Sequence, residues 1–329
     1  MATIGGTNVT LMDTARRLDP NGKIDKVVEI LAEKNEWLDD MVWKEGNLPT
    51  GHMVTIRTGL PTGTWRKLNY GVAQEKSTTQ QVVDTAGMLE SYAQVDVDLA
   101  KLNGNTAAWR LSEDKAFIEG MSQTMATTLA YGDTDLYPER FLGFAPRFDD
   151  LSAGNADNII AGDGSGSDNT SVWLIGWGDD TVYGIYPKGS VAGLQVKDLG
   201  EHTYTDSSGQ MHQILRSHYQ WKAGLTVKNW KYIVRICNID VSNLTKNGST
   251  GSDLVDLMTQ ALEQIEELQS VRPAFYCNRT VRSFLRRQIS NRNNVNLTFD
   301  TVAGKRTLMF DEVPVRRSDK ILNTESTVS

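Results

Sequence analysis

The chain is poor in the features that mark most functional classes. It has only two cysteines, Cys237 and Cys277, far apart and in no C-x-x-C spacing. That excludes a disulfide framework and offers no zinc pattern, so two buried free thiols made in a reducing compartment are expected. No run of about 18 apolar residues occurs. The start, Met1-Ala2-Thr3-Ile4-Gly5-Gly6, has neither the charged stretch nor the apolar core of a secretory leader. A soluble chain made in the cytoplasm, with no membrane partner, is the reading. Positive charge is in deficit: 34 Lys and Arg stand against 41 Asp and Glu, for a formal net charge of −7. A protein whose main work is to grip nucleic acid through a basic surface carries the opposite balance. There is no GxxxxGK[ST], GxSxG, HExxH or Rossmann GxGxxG, and no fixed-period repeat. No catalytic, cofactor-binding or metal-ligating residue is assigned, and the chain is expected not to be an enzyme.

What is present suffices for a large core. With 329 residues, of which 39% are hydrophobic, about two domains are expected at about 150 residues each.

The most informative stretch is Gly51 to Leu99. His52-Met53-Val54-Thr55-Ile56-Arg57-Thr58 alternates with Val54 and Ile56 on one side, the period of a half-buried strand. It breaks at Gly59-Leu60-Pro61-Thr62-Gly63, then passes through Trp65-Arg66-Lys67-Leu68-Asn69-Tyr70-Gly71 and a polar run to Gln81. A return strand ends in Gln94-Val95-Asp96-Val97-Asp98-Leu99, with the compact fold re-entered near Tyr92. A loop this long inside a domain is functional or disordered, and Trp65 and Tyr70 argue against disorder. The alternatives are a hairpin folded back on its own domain and an arm that lies on another molecule.

Elsewhere, Ile24, Val27, Val28, Ile30, Leu31, Trp37, Leu38 and Met41 recur at helical spacing, placing a helix at about 23–43. Ser112-Glu113-Asp114 supplies an N-cap and acids for a second helix running to Tyr131. Arg147 to Asn169 reads as a flexible loop rich in Asp, Gly, Ser and Asn, and its Gly164-Ser165-Gly166 as a linker. Residues 171–240 read as several strands, Val172-Trp173-Leu174-Ile175 and Trp230 to Ile236 among them. Asp179-Asp180 after Trp177-Gly178 reads as a tight turn. His202, His212 and His218 share that block without a ligand spacing.

Two late helices carry opposite charge. Residues 253–267 hold Asp253, Asp256, Glu263, Glu266 and Glu267 with no base. Residues 272–292 hold Arg272, Arg279, Arg282, Arg286, Arg287 and Arg292 with no acid. Asn278 is the expected N-cap of the basic helix, with Val281, Phe284, Leu285 and Ile289 as its buried stripe. Blocks of opposite sign suit either docking on a neighbour or pairing within one chain.

An arm, an extended hairpin, a long helix, a mixed block and a late basic helix after Arg272-Pro273-Ala274-Phe275-Tyr276-Cys277-Asn278 come in that order. The chain then closes on Phe310-Asp311-Glu312-Val313-Pro314-Val315-Arg316-Arg317-Ser318-Asp319-Lys320-Ile321. This resembles the major capsid proteins of tailed double-stranded DNA bacteriophages, the HK97-like fold. The closing segment is similar to that family's Gly-x-Pro-Val strand, with Glu312 in place of the glycine. The resemblance implies an α+β fold with an N-terminal arm (1–45), an E-loop hairpin (46–95), a peripheral domain with a spine helix (96–150), an axial domain (151–295) and a returning C-terminal strand (296–329). It implies a shell subunit that assembles with itself into pentamers and hexamers around packaged DNA, which it touches non-specifically. A scaffolding protein, a portal protein and, where one exists, a decoration or cement protein are the implied partners, and the virion capsid the location. On this reading the contact residues between subunits are Trp65, Arg66, Lys67 and Tyr70, and Arg279, Arg282, Arg286 and Arg287 with Glu263, Glu266 and Glu267. Lys67 or Lys76 sits where some members carry a cross-linking lysine, but that chemistry is not carried over. Two rival readings are an enzyme using His202, His218 and Asp198, and a tail or surface module binding carbohydrate through Trp173, Trp177, Trp221 and Trp230.

Overall fold

A strand covered on both faces must be apolar at nearly every position, and Val172 to Trp177 meets that condition in a strand buried throughout. In the computed structural model, which describes residues 33–101, 106–205, 208–245, 251–291, 297–302 and 305–329, this is the central strand. Residues 108, 109, 289–291, 297–302 and 305–307 are described by their backbone alone.

In chain order the elements are α1 (Trp37–Asp40), β1 (Trp43–Glu45), β2 (Gly51–Gly59), β3 (Thr78–Asp96), α2 (Val97–Lys101) and α3 (Thr106–Tyr131). Then come β4 (Ile159–Ala161), β5 (Asn169–Trp177), β6 (Val182–Tyr186), β7 (Leu194–Thr205), β8 (Met211–Val227) and β9 (Ile233–Asp240). Last are α4 (Leu254–Gln264), β10 (Arg272–Cys277), α5 (Arg279–Asn291), β11 (Leu297–Val302), β12 (Lys305–Phe310) and β13 (Val313–Arg317). The chain divides into two compact units, and three of the boundaries fall within β3, α3 and β8.

The larger unit takes in Asn35–Gly87, Thr127–Ala192 and Ala223–Ser329. β5 runs antiparallel to β10, pairing Leu174 with Phe275, and antiparallel to β9. β10 lies parallel to β13, with Phe275 opposite Val315. Alternation along β5 sends Val172 and Leu174 to one face. There they meet Leu254, Val255, Met258 and Ala261 of α4, Val281 and Leu285 of α5, and Phe275, Phe310 and Val315. The aromatic residues gather elsewhere: Phe144 lies 5.8 Å from Trp173, 6.0 Å from Trp177 and 6.2 Å from Trp37. Trp177 Nε1 donates to Tyr276 Oη at 2.8 Å, and that hydroxyl donates to Asp40 at 2.7 Å, so neither polar tip is orphaned by burial. Arg316 Nε stands 3.2 Å from the same Asp40 carboxylate.

Residues 321–329 are laid into this unit by side chains that act as strand partners. Asn238, at φ 53° in the left-handed region that asparagine tolerates, both donates to Val328 O and accepts from Val328 N at 2.9 Å. Glu325 is buried beside Arg235, with Arg235 Nη2 donating to its carboxylate at 2.9 Å. Tyr131 donates to its other oxygen at 2.5 Å, and Ser171 donates to the oxygen shared with Arg235. The arginine spends its remaining donors on Ser171 Oγ at 3.1 Å and Phe148 O at 2.7 Å, and its plane stacks 5.1 Å from the Trp173 ring.

The smaller unit is described over residues 33–34, Met88–Lys101, Thr106–Ala126, Gly193–Thr205 and Ser208–Lys222. Its main feature is a second long hairpin, β7 against β8, paired from Leu194↔Trp221 to Thr205↔Met211 with a bulge between Asp198 and Gly200. Gly200 takes φ 77° there, a conformation that glycine reaches without cost. α3 is pinned to this hairpin by Arg110, which reaches Asp198 at 2.7 Å and Ser217 at 2.8 Å, and by Phe117 stacked 5.5 Å from Tyr219.

Several elements depart from the sequence reading. Of the helix expected at 23–43, residues 23–32 lie outside the described residues, and beyond them only Trp37–Asp40 is helical. α3 begins at Thr106, not Ser112, because the hydroxyl of Thr106 donates to Ala100 O and the run that follows is rich in helix formers. The return strand stops at Asp96, whose carboxylate accepts from the Asp98 and Leu99 amides and opens α2. Trp230-Lys231-Tyr232 is a 3₁₀ turn before β9, with Asn229 accepting from the Lys231 amide. The Gly-rich stretch expected to be a flexible loop is instead laid against β9: Gly162 N donates to Cys237 O and Gly164 N to Asn238 O, both at 2.8 Å. A Cβ on Gly162 meets Asn238 O at 2.5 Å, so its glycine serves close approach rather than mobility. The Asn278 cap is as expected, accepting from Val281 N at 2.9 Å, and both cysteines are buried free thiols.

Removing one partner of a buried pair leaves an uncompensated charge. Glu325→Ala is therefore expected to lower unfolding free energy by about 3–5 kcal/mol, and Arg235→Met/Glu325→Leu by less than the single change, as read by urea denaturation.

Candidate inter-subunit surface

β2 and β3 pair in antiparallel register from Gly51↔Thr85 to Gly59↔Thr78, and residues 60–77 connect them without a further strand. The base of this hairpin is fixed by a short list of contacts. Asp84 is 4% exposed, and its carboxylate receives Arg147 Nη2 at 2.7 Å. The same nitrogen reaches Leu225 O at 3.3 Å. The body is thus re-entered at Asp84 rather than near Tyr92, since a buried carboxylate needs a cation there. Asn47 acts as a strand end, its amide bonding both ways to Met53 at 2.8 Å. Gly51 admits no side chain, because a Cβ there falls 2.1 Å from Asp84 O.

His52 is half-buried at the same base. Asn47 N donates to its Nδ1 at 3.1 Å, which leaves the ring proton on Nε2, 3.0 Å from Tyr183 Oη. Burial pushes the His52 pKa down; Asp84 opposes this, and Lys44 and Lys228 reinforce it.

Away from the base the hairpin is open. Thr78 to Gln81 and residues 60–77 are exposed, and Trp65, Leu68 and Tyr70 keep 101%, 87% and 70% of their accessible surface. Arg66 and Lys67 are exposed between them. The tip nevertheless has a definite shape: Glu75 accepts from Gly63 N at 2.9 Å and from the Thr62 hydroxyl at 3.5 Å, closing the loop that presents these side chains.

The two charged helices each bury an apolar face in the larger unit's core cluster and leave most of their charges outward. Glu263, Glu266 and Glu267 are exposed, and Glu266 pairs with Lys231 at 2.5 Å. Arg279 is exposed and stands 3.5 Å from Asp319; Arg286 and Arg287 are exposed, with Arg287 5.1 Å from the Phe284 ring, and Arg282 is half-buried.

The rival clusters do not assemble. Trp173 and Trp177 are core residues at 1% exposure, closed to any sugar. Asp198 is held by Arg110, which keeps its carboxyl down at about 2. His202 pairs with Ile214, four positions along β8 from His218 and so roughly 13 Å away, and His218 stacks on Tyr92 at 4.5 Å. Asp179 and Asp180 form the expected turn and bind Lys44 and Lys228. No cluster of three metal-ligating residues occurs among the described residues, and no helix there is long and apolar enough to cross a membrane.

No curated protein matches the chain. A chain in a near-atomic structure of bacteriophage Epsilon15 is 39% identical, with a TM-score of 0.78 over 100% of this chain and 99% of that one. The capsid of bacteriophage JBD30 shares 10% identity and a TM-score of 0.53 over 90% of this chain and 95% of that one. The hairpin arm, long helix and mixed sheet are thus those of an HK97-like capsid subunit, a structural component of tailed-phage heads. Within that class, residues 19–329 match the model of major capsid protein GP7, and the chain belongs to that family.

Lowering pH tests the hairpin base. A histidine whose folded pKa is depressed contributes stability that is complete above its unfolded value of 6.5 and is lost as pH falls below it. Thermal melts of the parent chain should show a loss of stability setting in below about pH 6.5 that is reduced in His52→Gln.

Proposed function

We propose that the chain builds a phage head by lending its hairpin, residues 51–96, to a neighbouring copy. The observation that carries this reading is a mismatch within one element: a base locked by the buried Arg147–Asp84 pair, and a tip whose Trp65 is fully exposed. Exposed aromatics on a shaped loop mark a contact surface, and fixing the loop beforehand reduces the ordering that binding must supply.

Residues 1–45 then serve as the N-terminal arm, 46–95 as the E-loop, 96–150 as the peripheral domain with α3 as its spine, 151–295 as the axial domain, and 296–329 as the returning strand. Copies gather into rings of five and six that close an icosahedral shell around double-stranded DNA. The exposed arginines of α5 and the glutamates at the end of α4 meet across the ring, where opposite charges steer register more than they add affinity. The work is assembly without turnover. A separate scaffolding protein sets curvature, a portal protein takes one vertex, and a decoration protein, where one exists, clamps the outside. The net charge of −7 suits a wall that does not trap the packaged polyanion. The chain is made in the host cytoplasm before it enters the virion.

Replacing residues 60–77 by Asn-Gly joins the strands through a two-residue turn. The expected product is a soluble subunit with parental circular dichroism that yields no shells by negative-stain microscopy; shells in parental yield contradict the reading.

A further inference from the structure

Leu322 and residues 324–328 line an open cleft of about 550 Å³ in the larger unit. Tyr131, Asp133, Pro146 and Asp149 line it as well. The lining also includes the Arg235–Glu325 pair, whose charges cancel. What remains is two carboxylates, neither with a cationic partner among the described residues, beside the hydroxyl residues Thr324, Ser326 and Thr327 and apolar surface that includes Leu322, 48% exposed.

We infer that this cleft is the seat of the hairpin tip of a second copy. The inference rests on the reading that the hairpin reaches a neighbour, and it names the place. The tip offers the complement of the cleft on three counts. It carries two adjacent cations, Arg66 and Lys67, for two carboxylates. Its one nearby acid, Glu75, is committed to Gly63 and Thr62. It holds Trp65 and Leu68 uncovered by their own subunit, ready for a partly apolar recess of a size that takes large side chains. Seating Trp65 against Leu322 and Pro146 places the guanidinium beside Asp149, where partial exclusion of water strengthens the attraction. Each copy then gives one tip and receives one, a heterologous contact of the kind that closes rings.

The test is a charge exchange read alongside a covalent trap, in the full chain expressed under conditions that give shells. Asp149→Lys and Arg66→Asp are each expected to cut shell yield at least tenfold while the subunits keep parental melting temperatures; combining them restores assembly. In Leu68→Cys/Ser326→Cys shells, oxidation is expected to give a non-reducing ladder extending beyond the dimer, absent from either single variant. If Arg66→Asp blocks assembly but Asp149→Lys assembles as the parent does, the tip seats elsewhere: the cleft is overturned and the lent hairpin stands. If neither change matters and the hairpin-deleted chain also makes shells, both readings fall. Assembled double-cysteine shells without a ladder, or a charge exchange that does not rescue, also overturn the cleft, the former being the result if another chain fills it.

Discussion

The body of the subunit depends on one buried guanidinium. Arg235, on a central strand, holds Glu325 with one nitrogen and Phe148 O with another, and lies against Trp173. An unpaired charge at 4% exposure costs several kcal/mol, so the arginine and glutamate require each other. Through Glu325 the pair fixes residues 321–329; through Phe148 O it fixes the turn at 145–148. Arg147, in that turn, then reaches out to Asp84 at the foot of the hairpin. A continuous chain of charge-assisted contacts thus runs from residues 321–329 to the base of the arm, and charge-assisted bonds are the stronger kind.

That arrangement explains how a long, mostly exposed hairpin keeps a direction. Two strands alone in water are marginal. Here both strands are clamped at the base of the hairpin by Asn47, His52 and Asp84, while the tip is shaped locally by Glu75. Between these clamps the strands carry polar residues such as Thr55, Arg57, Thr79 and Gln81, which keep the arm soluble until it is covered. Stiff base, shaped tip and exposed aromatics suit assembly, since little order is gained at the moment of contact.

Much of this was legible in the sequence because period and turn chemistry are local signals. Val54 and Ile56 alternate, Gly59 to Gly63 breaks the strand, and Asn278 caps its helix, each readable within a few residues. The anchors were not legible. Asp84 in Val82-Val83-Asp84-Thr85 looks like an exposed strand residue until Arg147, 63 positions away, is folded against it. Glu325 in Asn323-Thr324-Glu325-Ser326 looks solvated, and its partner lies 90 positions back. The glycines at 162–166 were misread because composition cannot separate a backbone that moves from one that must pass close to β9. Ser112 was a plausible cap that tertiary context overrode, as the helix had already begun at Thr106.

The claim at the centre of this account is that the hairpin belongs structurally to a neighbouring copy. A cryo-electron microscopy reconstruction of assembled shells, traced through residues 51–96, tests it most directly. The account predicts that the Arg147–Asp84 contact stays within one subunit while residues 60–77 lie on the surface of another. A hairpin folded back on its own subunit, with Trp65 covered by that same chain, contradicts it.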